Sequence, residues 1–185
     1  LKRLLLLLPA LLAAAIGQNL LTNGDFEQEL TVGWTFTGDG YGTHSADRST
    51  GYEPDPDYEA MTYQYDNPGW ARLGQTVDVP GPLVELQFKA SFAESGGVST
   101  CWPAACFSVC YLDADSRVLG ETRYYYSTYA DWVSTPTLSL YRVTNPAWRL
   151  YTLDVVSEVS NNLPGVNAAD IAKIEVALYS YTYDG

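Results

Sequence analysis

The clearest alternation of apolar and polar positions runs through LVELQFKASFA. There Val84, Leu86, Phe88, Ala90 and Phe92 fall on one side and Glu85, Gln87, Lys89 and Ser91 on the other. A period of two over that length predicts a strand with one buried face. Upstream, WARLGQTVDV ends at Pro80-Gly81-Pro82, a turn that joins it to this strand. Downstream, CFSVCYL groups Phe107, Val109 and Tyr111, and DADS closes a hairpin onto RVLGET. RLYTLDVV reads as another strand. The last alternating segment, KIEVALYSYTY, sets Ile174, Val176 and Leu178 against Tyr179, Tyr181 and Tyr183 on the opposite face. No stretch reads as a long helix and no internal repeat is found. About eight or more short strands divided by Gly and Pro predict an all-β chain, a two-sheet antiparallel jelly-roll sandwich. Its expected core is Phe26, Leu86, Phe88, Phe92, Phe107, Val109, Leu153, Val155, Ile174, Val176 and Leu178.

One apolar run has no place in that sandwich. Lys2 and Arg3 lead into Leu4 to Ile16, with small residues at Ala13, Ala14, Ala15 and Gly17. That is the pattern of a secretory signal peptide. The run is shorter than the roughly 20 residues of a membrane span and is interrupted by Pro9. Residues 1–17 are therefore expected to be removed, by cleavage after Gly17 or after Ala15, leaving residues 18–185 as one secreted or cell-surface domain. The chain opens on Leu1, which reads as a clipped or partial gene product.

Charge then narrows the partners. The formal net charge is −12, with 22 acidic and 10 basic residues, and it grows more negative when Lys2 and Arg3 leave with the leader. Such a surface repels phosphate backbones and anionic lipid, which argues against nucleic acid and membrane surfaces and favours calcium and neutral ligands. With 15 Tyr, 5 Trp and 5 Phe, the chain can offer ring faces on which the C–H patch of a pyranose stacks. Tyr124, Tyr125, Tyr126, Tyr129 and Trp132 crowd RYYYSTYADW, Trp70 opens the strand before the Pro-Gly turn, and Tyr179 and Tyr181 form a ladder opposite the core face. The expected ligand set is Trp70, Tyr125, Trp132, Tyr179 and Tyr181. The competing reading is that tyrosines form strands well and lie half-buried with wet hydroxyls.

The segment NLLTNGDFE, residues 19–27, followed by Gly33-Trp34, resembles the opening of jelly-roll carbohydrate-binding modules of families four and nine and their relatives in secreted bacterial proteins. The resemblance continues through LGQTVDVPGPLVELQFKASF, VCYLDADSRVLGET, AWRLYTLDV and AADIAKIEVALY, so the order of elements is matched over nearly the whole mature chain. It implies a sandwich fold, polysaccharide binding without catalysis, and membership of a longer polypeptide with further domains. Trp34 and Trp148 match positions that look structural in such modules. The resemblance also implies a closing C-terminal strand, and the segment ending SYTYDG is expected to lack it.

A strand carrying Phe26 inward would turn Asp25 and Glu27 outward together, two carboxylates beside a Gly turn and so a candidate calcium corner. The similar modules hold a structural calcium with N-terminal residues and an Asp of the closing strand, and Asp25 and Glu27 match the N-terminal part. The alternative is a plain Asn-Gly-Asp turn with a solvated Glu27. Glu53, Asp55, Asp57 and Glu59 lack the glycine and terminal Glu of a regular calcium loop and read as a solvated Pro-rich loop.

Three cysteines, Cys101, Cys106 and Cys110, leave one unpaired in a secreted chain. Cys106 and Cys110 lie four apart on a strand, roughly 13 Å, too far to bond. Cys101 and Cys106 flank WPAA and are placed to close it as a disulfide. The third thiol is then either a buried small hydrophobe or a partner for a Cys beyond residue 185. One His and no Cys-x-x-Cys pair argue against zinc. His44 with Ser45 and Asp47 is too local for a triad. No carboxylate pair stands in a catalytic motif, which leaves a small enzyme as the minority reading behind a glycan-binding module and a structural or adhesive surface domain.

Overall fold

The computed structural model describes residues 19–52, 57–81, 84–94, 97, 101–129 and 132–184. The leader at 1–17 and the acidic residues Glu53 and Asp55 lie outside them. Strands β1 (Thr35–Gly40), β4 (Gly69–Asp78), β6 (Cys101–Leu112), β7 (Val118–Tyr126), β8 (Leu138–Arg142) and β10 (Lys173–Asp184) form one sheet in the order β1-β4-β10-β6-β7-β8. β10 lies inside it, antiparallel to both neighbours, with Leu178 opposite Leu73 and Phe107, and Val176 opposite Gln75 and Val109. Residues directly opposed in a ladder share a face, so one alternation governs several strands at once.

The inner face is the core. Two antiparallel ribbons cover it as a second layer, β2 (Thr43–Ser49) with β3 (Glu59–Tyr65), and β5 (Glu85–Ala90) with β9 (Arg149–Asp154). Phe88 of β5 stacks on Phe107 at 3.7 Å between ring centres and on Tyr151 at 5.0 Å, and meets the edge of Tyr124 at 5.3 Å. Ser180 of β10 bonds the Thr62 carbonyl of β3 at 2.8 Å, which ties the other ribbon to the same face. Every expected core residue is buried or packs against the buried cluster. The chain is thus an all-β, two-layer sandwich.

Four local expectations change. β8 runs parallel to β7, an exception to the antiparallel pattern at the sheet edge. The expected strand RLYTLDVV stops at Asp154, whose carboxylate accepts the Ser157 N–H at 2.7 Å and caps helix α1 (Val155–Asn162). Val155 remains fully buried, as a helical residue. The segment carrying Phe26 is a series of turns rather than a strand, with φ of 51° at Asn23 and 56° at Phe26. Phe26 still points inward, 5.0 Å from the ring of Trp34, while Asp25 and Glu27 are exposed.

The fourth change is the disulfide. Cys101, Cys106 and Cys110 are all free thiols. β6 is unbroken from Cys101 onward, so Cys101 and Cys106, five residues apart, point to opposite faces, roughly 17 Å apart at the strand rise. A bridge requires Cα atoms within about 7 Å. Burial pushes the Cys106 thiol up to about 12 and the Cys110 thiol up to about 11.

The turn NLLTNGDFE is fastened by two side chains. Asn23, buried, donates from Nδ2 to the carbonyls of Gln28 and Glu29 at 3.0 and 3.2 Å and accepts the Gln28 N–H at 2.8 Å. Its own carbonyl accepts the Trp34 indole N–H at 2.9 Å. Gln75 of β4, also buried, accepts the Thr22 N–H at 2.7 Å and donates to the Thr22 carbonyl at 2.8 Å, so one side chain imitates a strand partner. Gly33 has φ +85°, and a Cβ there would lie 2.9 Å from the Thr22 carbonyl. Only glycine fits both constraints.

Candidate functional site

The outer face of the six-stranded sheet carries what the inner face excludes. Beginning at the C-terminal end of β10, its odd positions Tyr179, Tyr181 and Tyr183 project outward in a row. Register places Trp70 of β4 beside Tyr181, and Trp102 of β6 beside Tyr183. Tyr179 and Tyr181 stack at 6.2 Å with planes 14° apart, Trp70 stacks on Tyr179 at 6.1 Å, and Trp102 on Tyr183 at 5.2 Å. Trp132, from the connection between β7 and β8, stands over this row with its edge toward Trp102 at 6.1 Å and Tyr181 at 6.4 Å. Trp102, Arg123, Trp132, Tyr179, Tyr181 and Tyr183 line an open groove of about 420 Å³.

Of the five residues expected to touch a ligand, Trp132, Tyr179 and Tyr181 line this groove and Trp70 flanks it. Tyr125 does not: it is 3 % exposed, because Trp132 lies 5.0 Å from its ring. Its place is beneath the groove, as the support on which Trp132 rests. Trp102, Arg123 and Tyr183 line the groove as well and lie outside the expected set. Trp102 falls in WPAA between two cysteines, Arg123 precedes a run of tyrosines, and Tyr183 extends the Tyr179–Tyr181 row. The available signal was alternation, since Arg123 and Tyr125 share a parity on β7.

Beside the rings the same face is polar and holds two ion pairs. Arg72 Nη1 bonds Glu175 Oε1 at 2.6 Å. Arg123 grips Glu121 through Nε at 2.6 Å and Nη2 at 2.8 Å, and Ser108 donates to the same carboxylate at 2.5 Å. Burial alone would lower the Arg123 pKa, but the bond to Glu121 and its charge outweigh it and the net shift is upward. Burial also pushes the Tyr179 hydroxyl up to about 12, so it remains a neutral donor and acceptor at physiological pH.

The other candidates are dispersed. Glu27 Oε1 accepts the Tyr58 N–H at 2.9 Å and Asp25 Oδ1 accepts the Glu27 N–H at 3.4 Å. Among the described residues no cluster of three or more His, Cys, Asp or Glu is gathered. Asp113 and Asp115 serve the β6–β7 turn by holding Arg117. His44 lies against Phe36 and bonds the Gly42 carbonyl at 3.2 Å, while Ser45 and Asp47 are, by register, not on one face with it.

No family model and no curated protein matches the chain. Among solved structures, a carbohydrate-binding module of the β-sandwich superfamily, described for promiscuous specificity, is 14 % identical with a TM-score of 0.53. That match covers 92 % of this chain and 58 % of the module chain. The family 11 carbohydrate-binding module of the Clostridium thermocellum cellulase Lic26A-Cel5E is 13 % identical, covers 92 % of this chain and 94 % of its own, and has a TM-score of 0.41. The enzymatically active domain of tailspike protein 4 of bacteriophage CBA120 is 14 % identical with a TM-score of 0.45 over 90 % of this chain, which spans only 20 % of that domain. At these identities the likeness is one of fold, and the chain has the β-sandwich fold found in carbohydrate-binding modules.

Proposed function

We propose that this chain is a non-catalytic carbohydrate-binding domain that holds a neutral polysaccharide along the groove between Trp132 and the Tyr179–Tyr183 row. The observation that carries the reading is the open groove walled by five aromatic rings and one arginine on the solvent side of the sheet. A flat sugar ring offers C–H groups to such walls and leaves its hydroxyls for polar neighbours. A purely structural or adhesive domain would have covered or scattered these rings. Glu121 and Glu175, the two carboxylates paired with arginines on this face, are each held in an ion pair, which fits binding better than proton transfer.

In this reading the leader at residues 1–17 sends the domain out of the cell as one module of a longer protein, akin to families four and nine, and Asp25 and Glu27 take part in a structural calcium site. The test is calorimetry or affinity electrophoresis of the protein against soluble glucans, xylans and mannans. Binding of at least one neutral glycan, little altered by salt, is expected. No binding across the panel overturns the proposal.

A further inference from the structure

Among the described residues a single cationic side chain lines the aromatic groove of a chain whose net charge is −12. Its setting is specific. Glu121 and Arg123 are two apart on β7, so they share the outer face, and the carboxylate takes the Nε and Nη2 donors of the guanidinium. Ser108 on the adjacent strand donates to Glu121 Oε1 and fixes the carboxylate in turn. Among the described residues no hydrogen bond engages Arg123 Nη1. The guanidinium carbon lies 5.8 Å from the centre of the Trp132 ring, where a stacked sugar would present its edge. Elsewhere on this face Arg72 and Glu175 form a second such pair.

We infer that the Glu121–Arg123 pair is the specificity element of the groove: the Nη1 donors read hydroxyl oxygens of a neutral sugar stacked on Trp132, and the compensated charge turns away glycans bearing carboxylates. The inference rests on the proposed sugar site. Its logic is that a planar guanidinium held along one edge can only offer the other edge, in a fixed direction. An isolated arginine here would attract uronates. Paired with Glu121, it donates hydrogen bonds without a net field, inside a molecule whose overall charge repels anions.

The experiment titrates the wild-type chain, Arg123→Lys and Glu121→Gln with the neutral glycan that the wild type binds best and with polygalacturonate, at low and high salt, with melting curves for each. Arg123→Lys keeps the charge but loses the fork, and affinity for the neutral glycan is expected to fall about tenfold. Glu121→Gln leaves the guanidinium uncompensated, and polygalacturonate binding is expected to appear at low salt and fade at high salt. Folded Arg123→Lys that binds like wild type, or folded Glu121→Gln that ignores polygalacturonate, overturns the inference while the sugar site stands. Failure of the wild type to bind any neutral glycan removes the sugar site and this inference with it.

Discussion

Replacing Trp132 with alanine separates a ring that binds from a ring that merely packs. The indole is half-buried: it rests on Tyr125 at 5.0 Å, meets Trp102 and Tyr181 edge-on, and has the Arg123 guanidinium carbon 5.8 Å from its ring centre. Aromatic pairs add roughly 0.5–1.5 kcal/mol each when buried, and half exposure reduces that, so a destabilisation of about 1–2 kcal/mol is expected. For a domain of this size that lowers Tm by only a few degrees. Stacking of a flat ligand on an aromatic ring contributes on the order of 1–3 kcal/mol, so affinity should fall about 5- to 150-fold. The assay is calorimetry at a temperature well below both melting points, with Trp148→Ala as control. Trp148 donates its indole N–H to the Tyr52 carbonyl at 3.0 Å and precedes β9 in the other layer, so its loss should touch stability and leave affinity alone. Unchanged affinity in Trp132→Ala, or equal losses in both variants, would refute the assignment of the groove.

Gln75→Ala should cost about 2–3 kcal/mol and several degrees of Tm in a thermal melt, because both hydrogen bonds to Thr22 are lost at a buried site. A melt like that of wild type would mean that the opening turn holds without its clasp. In thiol titration of the native protein Cys101 should react quickly and Cys106 and Cys110 only on unfolding, with intact mass showing no disulfide. Since Cys106 is raised from 9.0 to about 12 in the folded chain, its contribution to stability is complete below about pH 9. That contribution declines as pH climbs toward 12, by at most about 1.4 kcal/mol per pH unit for this thiol, so denaturant midpoints should fall across that window. Calcium at ten times its Kd should stabilise by about 1.4 kcal/mol if Asp25 and Glu27 hold it, and Asp25→Ala combined with Glu27→Ala should abolish the gain. No calcium-dependent shift in the wild type would leave Glu27 with only its bond to Tyr58.

Strand faces were legible along the chain because alternation is a local property. Ile174, Val176 and Leu178 had to share one side of β10 and the tyrosines the other wherever that strand went. For the same reason most of the core and three of the groove residues, Trp132, Tyr179 and Tyr181, were within reach of the sequence. Pairing across the chain was not. Trp102 joins the site because β6 meets β10 with Trp102 opposite Tyr183, a match between residues 81 positions apart that neither segment encodes alone. Tyr125 left the site because a separate connection lays Trp132 over it. The disulfide expected to close WPAA does not form because that stretch extends as strand when β10 lies alongside. NLLTNGDFE announced a tight turn through its Asn-Gly pair, but what holds it is Gln75, 53 residues away from Thr22, and a buried side chain can find such a backbone partner only after the sheet has formed.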